Sequence, residues 1–412
     1  MSQNSELVPK RRFKEFENAG DWEQRKLSSM TMYKNGKSHE DKQSTSGKYE
    51  LINLNSISIS GGLKHSGKFI EDTDDTLQKD DLVMILSDVG HGDLLGRVAL
   101  IPNDNMFVLN QRVALLRPNE TADPHFLFSY INAHQYYFKS QGAGMSQLNV
   151  SKGSVENFTS NVPTIQEQNY IGSFLKQINN IIALHQRKLD KLNNIKQSYL
   201  YQMFPQNGEK VPSLRFSEFS EEWKSNSMGE LGKTYTGLNG KTKDDFGHGK
   251  AKFVTYMNVY KNTISNPNLV EEVELDSRQN EVKYGDVLFT TSSETPEEVG
   301  LSSVWLNNSE NVYLNSFCFG YRPSINIDSY YLAYMLRSQS IRKKIILLAQ
   351  GISRYNISKS KMMDIEIVFP KLEEQKKIGQ FFKRLDENID IQEQELEKLK
   401  NLKKAYLNEM FV

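Results

Sequence analysis

Cysteine is nearly absent from this 412-residue chain: Cys318 is the only one. A single thiol excludes a disulfide framework and fits a reducing compartment, so a cytoplasmic location is expected. No apolar run approaches the roughly 18 residues that a membrane-crossing helix needs. The opening MSQNSELVPKRRF has no apolar core, so neither a membrane span nor a signal peptide is expected. Excess charge is absent too. With 51 basic and 51 acidic residues, any surface that attracts nucleic acid must be local. The seven histidines do not gather at metal-ligand spacings. What is present is enough for packed cores, 38% hydrophobic residues over a length that fits roughly two or three domains.

Catalytic motifs are missing as well. Gly62 through Gly67 and Lys68 have the glycine and lysine spacing of a phosphate-binding loop. Phe69 stands where Ser or Thr would bind the metal ion, and no clear strand leads in. Residues 237–242 end like such a loop but lack its first glycine, and Gly90-His91-Gly92 followed by Gly96 is not a dinucleotide fingerprint. Glu281 and Lys283 after Asp276 make a triplet that chance supplies often. No Asn/Asp-Pro-Pro-Tyr loop for base methylation and no nucleophile elbow occurs. The chain reads as one that binds rather than catalyses.

Its dominant feature is a long helical stretch written twice. Residues 163–204 align with 370–411 at a constant offset of 207, and Pro163, Gln168, Ile171, Gly172, Phe174, Tyr199 and Phe204 are among those that recur. Leu175, Ile182, Leu189 and Met203 fall at one heptad position, as do Phe382, Ile389, Leu396 and Met410 in the second copy. The seam breaks at His185 and Lys196, and at the matched Gln392 and Lys403, which predicts that the copies pack in fixed register. A helix over 171–203 is about 50 Å long, a spacer. Thr164 and Glu167 predict a capping box at its start, which Lys371 removes from the second copy.

The duplication reaches further. Arg12-Phe13-Lys14-Glu15-Phe16 before Trp22 returns as Arg215-Phe216-Ser217-Glu218-Phe219 before Trp223. Between arm and helix, 51–59, 81–86, 97–101 and 112–116 read as strands and 126–137 as a helix, answered in the second half by 330–348. Asp81, Asn110 and Arg117-Pro118 match Asp286, Asn315 and Arg322-Pro323, whereas 34–79 and 234–283 share little. A common frame with diverged loops fits two related recognition tasks.

The divergent stretches hold the candidate DNA contacts. Lys34, Lys37, His39, Lys42, Lys48 and Tyr49 form a basic run able to follow a phosphate backbone. Lys241, Lys243 and Lys250 precede Tyr256 and Asn258 in the second half. A glycine-rich loop presents Gln141, Gln147 and Asn149, with Lys152 after it; amide side chains can pair with adenine. Its counterpart presents Arg354, Tyr355 and Asn356, with Lys359 after it, and arginine commonly reads guanine.

Two half-repeats that each open Arg-Phe-x-Glu-Phe…Trp and close with a Pro-x-x-x-Glu-Gln-x-x-Ile-Gly helix resemble the DNA-specificity subunit of type I restriction-modification systems (HsdS). Pro163, Glu167, Gln168, Ile171 and Gly172, with Pro370, Glu374, Gln375, Ile378 and Gly379, carry most of the match, which covers essentially the whole chain. Gly351, Arg354 and Asn356 also resemble the family, while Gly144, Gln147 and Asn149 depart from it. The resemblance implies an α+β fold: two mixed α/β target-recognition domains separated by two long antiparallel coiled-coil helices in a pseudo-two-fold internal repeat. The segments are an arm (1–21), a first recognition domain (22–161), a central helix (162–205), a linker and second arm (206–222), a second recognition domain (223–368) and a closing helix (369–412). It further implies a non-catalytic subunit that binds double-stranded DNA and holds two methyltransferase subunits (HsdM) and, in the nuclease form, two restriction subunits (HsdR). S-adenosylmethionine, ATP and Mg²⁺ belong to those partners. The competing expectation is a coiled-coil adaptor without DNA sequence specificity, which overall charge neutrality favours and the diverged loops disfavour.

Overall fold

The fold comes from a computed structural model that describes residues 8–144, 147–206 and 208–412. Residues 1–7 of the expected arm, 145–146 of the glycine-rich loop and 207 of the linker lie outside the described residues. The chain divides into two compact units, residues 1–186 with 394–412, and residues 187–393. Each unit takes half of each long helix, Ile165–Gln202 and Leu372–Met410.

In the first unit a four-stranded antiparallel sheet runs in the order Thr31–Asn35, Val113–Pro118, Leu82–Ile85, Val98–Leu100. Leu82 to Ile85 are all buried, as a near-continuous apolar run requires. The Val113–Pro118 strand was expected from residue 112, but Arg112 sits at φ 66°, a turn conformation, and the strand starts at Val113. A three-stranded sheet pairs Phe69–Ile70 with Tyr49–Ile52, and the latter in parallel with Phe107–Leu109. The strand expected over 51–59 stops at Ile52, because Asn53 caps a short 3₁₀ turn, Leu54–Ser56. The helix expected over 126–137 is two helices, Pro124–Ala133 and Gln135–Ser140, broken at His134, whose ring stacks on Tyr130.

The second unit repeats this plan. Its four-stranded order is Gly232–Thr236, Cys318–Pro323, Val287–Thr290, Ser302–Val304, and its three-stranded sheet pairs Val270–Val273, Phe246–Val254 and Val312–Leu314. The same three-stranded sheet thus forms in stretches that share little sequence. Two helices, Ser329–Arg337 and Gln339–Leu347, again break once, at Ser338.

Within each unit the helix segments run antiparallel. In the first, Phe174 meets Tyr406 edge-on and His185 faces Glu395 at 3.6 Å, so a step up one helix is a step down the other. In the second, Tyr199 meets Phe381 and Lys196 pairs with Asp386 at 2.6 Å. The polar seam positions His185 and Lys196 therefore meet charged partners. Leu175, Leu189, Met203, Phe382, Ile389, Leu396 and Met410 are buried. Ile182 is half-buried and lines a cleft rather than a closed seam.

The phrase repeated at each helix start has a physical reading. The backbone N–H of Glu167 reaches Thr164 Oγ1 at 3.4 Å, but its carboxylate does not complete the expected capping box. It forms a two-pronged ion pair with Arg12 instead, at 2.7 Å on both prongs. Arg215 and Glu374 repeat the pair at the same distances. Gln168 accepts from the N–H of Asp123 and Gln375 from that of Asp328. Those aspartates cap the Pro124–Ala133 and Ser329–Arg337 helices. Gly172 lets the cap approach, since a Cβ there would lie 2.1 Å from Asp123 Oδ1.

Candidate DNA interface

The glycine-rich loops arise from the frame in the same way in both units. Ser87–Asp88 pairs with Leu148–Asn149, and Ser292–Ser293 with Tyr355–Asn356. Ala143 bridges Asn149, and Gln350 bridges Asn356, closing each loop. Gly144 (φ 135°) and Gly351 (φ 145°) turn the chain so tightly that a Cβ would fall 2.0 Å from the carbonyl oxygen of Gln147 or Arg354. The residues held between these fixed ends differ. Gln147 is half-buried, and its Nε2 has no hydrogen-bond partner among the described residues. Arg354 is exposed, and Asn356 Nδ2 bonds back to its carbonyl at 3.5 Å. Asn149 is exposed but its amide is engaged within the loop, as Ser87 donates to its Oδ1 and its own Nδ2 donates to Gln147 O. Gln141 is exposed; Tyr355 is half-buried in the loop strand.

A matched strut braces each four-stranded sheet at the other end of the strand that leads to its loop. Arg117 grips Asp81 with two 2.7 Å bonds, and Arg322 grips Asp286 with bonds of 2.7 and 2.6 Å. The aspartates are almost fully buried, and the hydrogen bonds to them, followed by their charge, raise both guanidinium pKa values above the ordinary arginine value against the opposing effect of burial. In the second unit Tyr235 also donates to Asp286 at 2.7 Å, and burial followed by that carboxylate's charge drives the phenol far above its usual range. Both struts fall on residues that recur in the sequence, yet the pairing itself needs the sheet register to be known.

Beside Arg354 the second unit has a pocket of about 440 Å³, lined by Tyr256, Met257, Tyr260, Ser293, Phe317 and others. Tyr256 and Tyr260 lie parallel, 6.0 Å apart, and the Tyr256 hydroxyl donates to Ser292 O. Met257 and Phe317 are about half exposed or more, at 48% and 60%. Apolar, aromatic and cationic groups thus converge next to the loop. Sequence reading missed Met257 and Phe317, since an isolated apolar residue carries no sign of exposure.

The other candidates divide. Lys37, Lys42, Lys48, Lys243 and Lys250 are exposed, His39 and Tyr49 half-buried, and Lys48 lies over the Tyr49 ring at 4.9 Å. Lys34 is tied to Asp75. Lys152 and Lys359 open matched short helices, Lys152–Glu156 and Lys359–Met363, and Lys152 also lies 5.4 Å over the Tyr33 ring. Two candidates are corrected. Asn258 is fully buried; its Nδ2 donates to Asn266 O and Leu269 O, so it closes a turn and cannot reach a base. Lys241 is 10% exposed and lies between Asp245 and Asp276, at 3.5 and 3.6 Å, which neutralise it. The near-miss phosphate loop also resolves: Phe69 enters a strand, not a helix, and Glu50 takes up the Ser66 N–H and His65. Among the described residues no three His, Cys, Asp or Glu side chains gather as a metal site, and no helix is long and apolar enough to cross a membrane.

Two copies of one α/β frame, each offering a differently furnished loop, define a duplicated specificity protein. Residues 19–194 and 220–401 match the family described as the type I restriction modification DNA specificity domain, and the chain belongs to that family. It is a specificity subunit of a type I restriction-modification system, with two DNA target-recognition domains. The type I restriction enzyme MjaVIII specificity subunit of Methanocaldococcus jannaschii is 23% identical over 356 residues, covering 83% of this chain and 81% of that protein. Among solved structures, the type I restriction-modification S subunit from M. genitalium superposes with a TM-score of 0.62 at 17% identity, covering 98% and 99% of the two chains. A structure described for complex assembly and conformational transition of the type I R-M system gives 0.54 at 16% identity, covering 95% and 97%. These superpositions speak to the fold alone.

Proposed function

We propose that each unit reads one half of a split double-stranded DNA site and that the long helices hold the catalytic partners. The supporting observation is the pair of loops closed at equivalent places by equivalent glycines, one carrying a half-buried Gln147 and the other an exposed Arg354. An amide pairs best with adenine and a guanidinium with guanine, so a shared frame delivers two readings. The exposed lysines supply phosphate contacts that position without specifying, which a neutral chain can do locally. The partners are two methyltransferase subunits and, in the nuclease form, two restriction subunits. S-adenosylmethionine, ATP and Mg²⁺ are theirs, this chain is non-catalytic, and the complex works in the cytoplasm.

Methylome sequencing of cells that express the chain with its methyltransferase partner tests this reading. The expected result is a split motif with methyladenine on both strands. Replacing residues 22–161 by the same region of a relative changes one half of the motif and leaves the other. Both halves changing together, or methylation without a motif, would sink it in favour of an adaptor.

A further inference from the structure

The two units pack the same helix against the same helix pair, so each serves as the reference for the other. In the second unit Tyr334 reaches from the Ser329–Arg337 helix to the second long helix, where its hydroxyl donates to Asp386 Oδ2 at 2.9 Å. Lys196 approaches the other oxygen of Asp386 at 2.6 Å and stands 5.9 Å over the Tyr334 ring. One ring, one carboxylate and one ammonium fill the crevice and satisfy each other, as partly buried charges must be satisfied. Beside them Lys383 lies over the Tyr330 ring at 5.1 Å.

The first unit keeps the cation and lacks both of its partners. Lys403 stands in the place of Lys196, but Ser129 replaces Tyr334 and Asn179 replaces Asp386. A cleft of about 680 Å³ opens there, lined by Phe128, Ser129, Asn179, Ile182, Lys400 and Lys403 among others. Lys176, the counterpart of Lys383, and His125, the counterpart of Tyr330, stand at the same cleft. The charge acting on Lys403 is another cation, Arg97, and burial and that repulsion hold its ammonium below the ordinary value. The carboxylates facing the lining residue His125 are Asp123, which accepts from the His125 backbone N–H and caps the Pro124–Ala133 helix, and Asp80, 3.8 Å from the imidazole. The loss of one tyrosine opens space for a ring, and the loss of one aspartate removes one negative charge. The void and the unmatched charge lie together.

We propose that this cleft binds a small molecule built as an aromatic ring bearing an anionic group, carboxylate or phosphate. The ligand gives Lys403 the ring and the charge that Tyr334 and Asp386 give Lys196. The walls are largely apolar, from Phe128, Ile182 and Leu100, which suits the ring, and the ammonium groups of Lys400 and Lys403 suit the anion.

The test is fluorine NMR titration of the full-length chain with 4-fluorobenzoate, 4-fluorophenyl phosphate and the neutral 4-fluorobenzyl alcohol. Saturable binding of at least one anion at one site per chain is expected, and comparison of the two anions identifies the preferred head group. The neutral probe binds at least about tenfold more weakly, the loss of one charge-assisted hydrogen bond. The double variant Ser129→Tyr/Asn179→Asp carries the second unit's plug into the first and abolishes binding. Lys403→Met weakens it by about tenfold or more without filling the cleft. The reverse double variant, Tyr334→Ser/Asp386→Asn, raises the stoichiometry to two. No saturable binding of either anion, or binding by the plugged chain or by Lys403→Met equal to that of the parent chain, overturns the proposal.

Discussion

Arg12 and Glu167 stand 155 positions apart in the chain and form a two-pronged ion pair that is almost fully buried, with side-chain exposures of 7% and 0%. Arg215 and Glu374 repeat it 159 positions apart. The arm that opens each half is thereby clamped to the long helix that closes it, and Phe13 adds edge-on contacts with Tyr170 and Phe174. Removing one partner leaves the other charge buried alone. Arg12→Ala is expected to lower the stability of the first unit by about 3–5 kcal/mol, and the double Arg12→Met/Glu167→Met to recover most of it. Urea unfolding of the three proteins checks this, and a loss below about 1 kcal/mol in the single variant would show the clamp to be dispensable.

Gly379 makes a similar point about contact between elements. A Cβ there would lie 2.4 Å from Asp328 Oδ1 and 2.8 Å from the backbone nitrogen of Tyr331, inside the cap of the Ser329–Arg337 helix. Gly379→Ala should destabilise the second unit by about 1–3 kcal/mol through lost capping and overpacking. Gly20 has nothing within 4 Å of its Cβ position, and Gly20→Ala is the matched control, expected to be near neutral in the same denaturation experiment. Equal effects at both sites would contradict the close-approach argument.

His134 makes the first unit sensitive to acid. Burial lowers its pKa from 6.5, against a smaller opposing effect of the hydrogen bond to Tyr130 O. A depressed folded value means that the unfolded chain takes up the proton first. The contribution is therefore intact above about 6.5 and is lost as the pH falls toward the lowered folded value. Thermal unfolding between pH 7.5 and 5.5 should show a smaller acid-side loss for His134→Gln than for the parent chain. Parallel curves would exclude His134 as the group responsible.

Arg354 is exposed at the loop tip beside Tyr256 and Phe317. Arg354→Ala should relax one position of the second half-site by about 1–3 kcal/mol of discrimination while the first half-site keeps its sequence. Methylome sequencing reads both at once. An unchanged second half-site would remove Arg354 from the contact set.

The N–H of Arg11 donates to Glu409 O at 2.8 Å, as that of Leu214 donates to Gln202 O at 2.9 Å. In the second unit those two points are joined by the linker; in the first they lie near the two chain ends. A permuted chain, joined between residues 412 and 1 and opened within 206–212, should fold and still assemble with a methyltransferase partner. A soluble permutant that binds no partner in gel filtration would count against equivalence of the two arms.

The repeat, three strands of the first four-stranded sheet, the long helices and the family were legible in the sequence, because each rests on a pattern that recurs along the chain, whereas the edge strand Thr31–Asn35 was not read. Apolar period, matched motifs and a fixed offset are local or self-referential, so they survive without coordinates. Helix breaks at His134 and Ser338 were not legible, since ring stacking and a side-chain hydroxyl bond to the backbone decided them.

Which polar residues face outward was decided by the tertiary structure alone. Lys241 and Asn258 read as surface groups and are enclosed, Lys241 between neighbouring Asp245 and distant Asp276 and Asn258 by the backbone carbonyls of Asn266 and Leu269 beyond the motif. Glu167 reads as a local cap and is a long-range ion-pair partner, because Arg12 offers two charge-assisted bonds where a local N–H offers one. The difference between Lys196 and Lys403 is likewise invisible along the chain. Both are matched seam lysines, and only the residues packed across from them, Tyr334 with Asp386 or Ser129 with Asn179, make one satisfied and leave the other facing an open cleft.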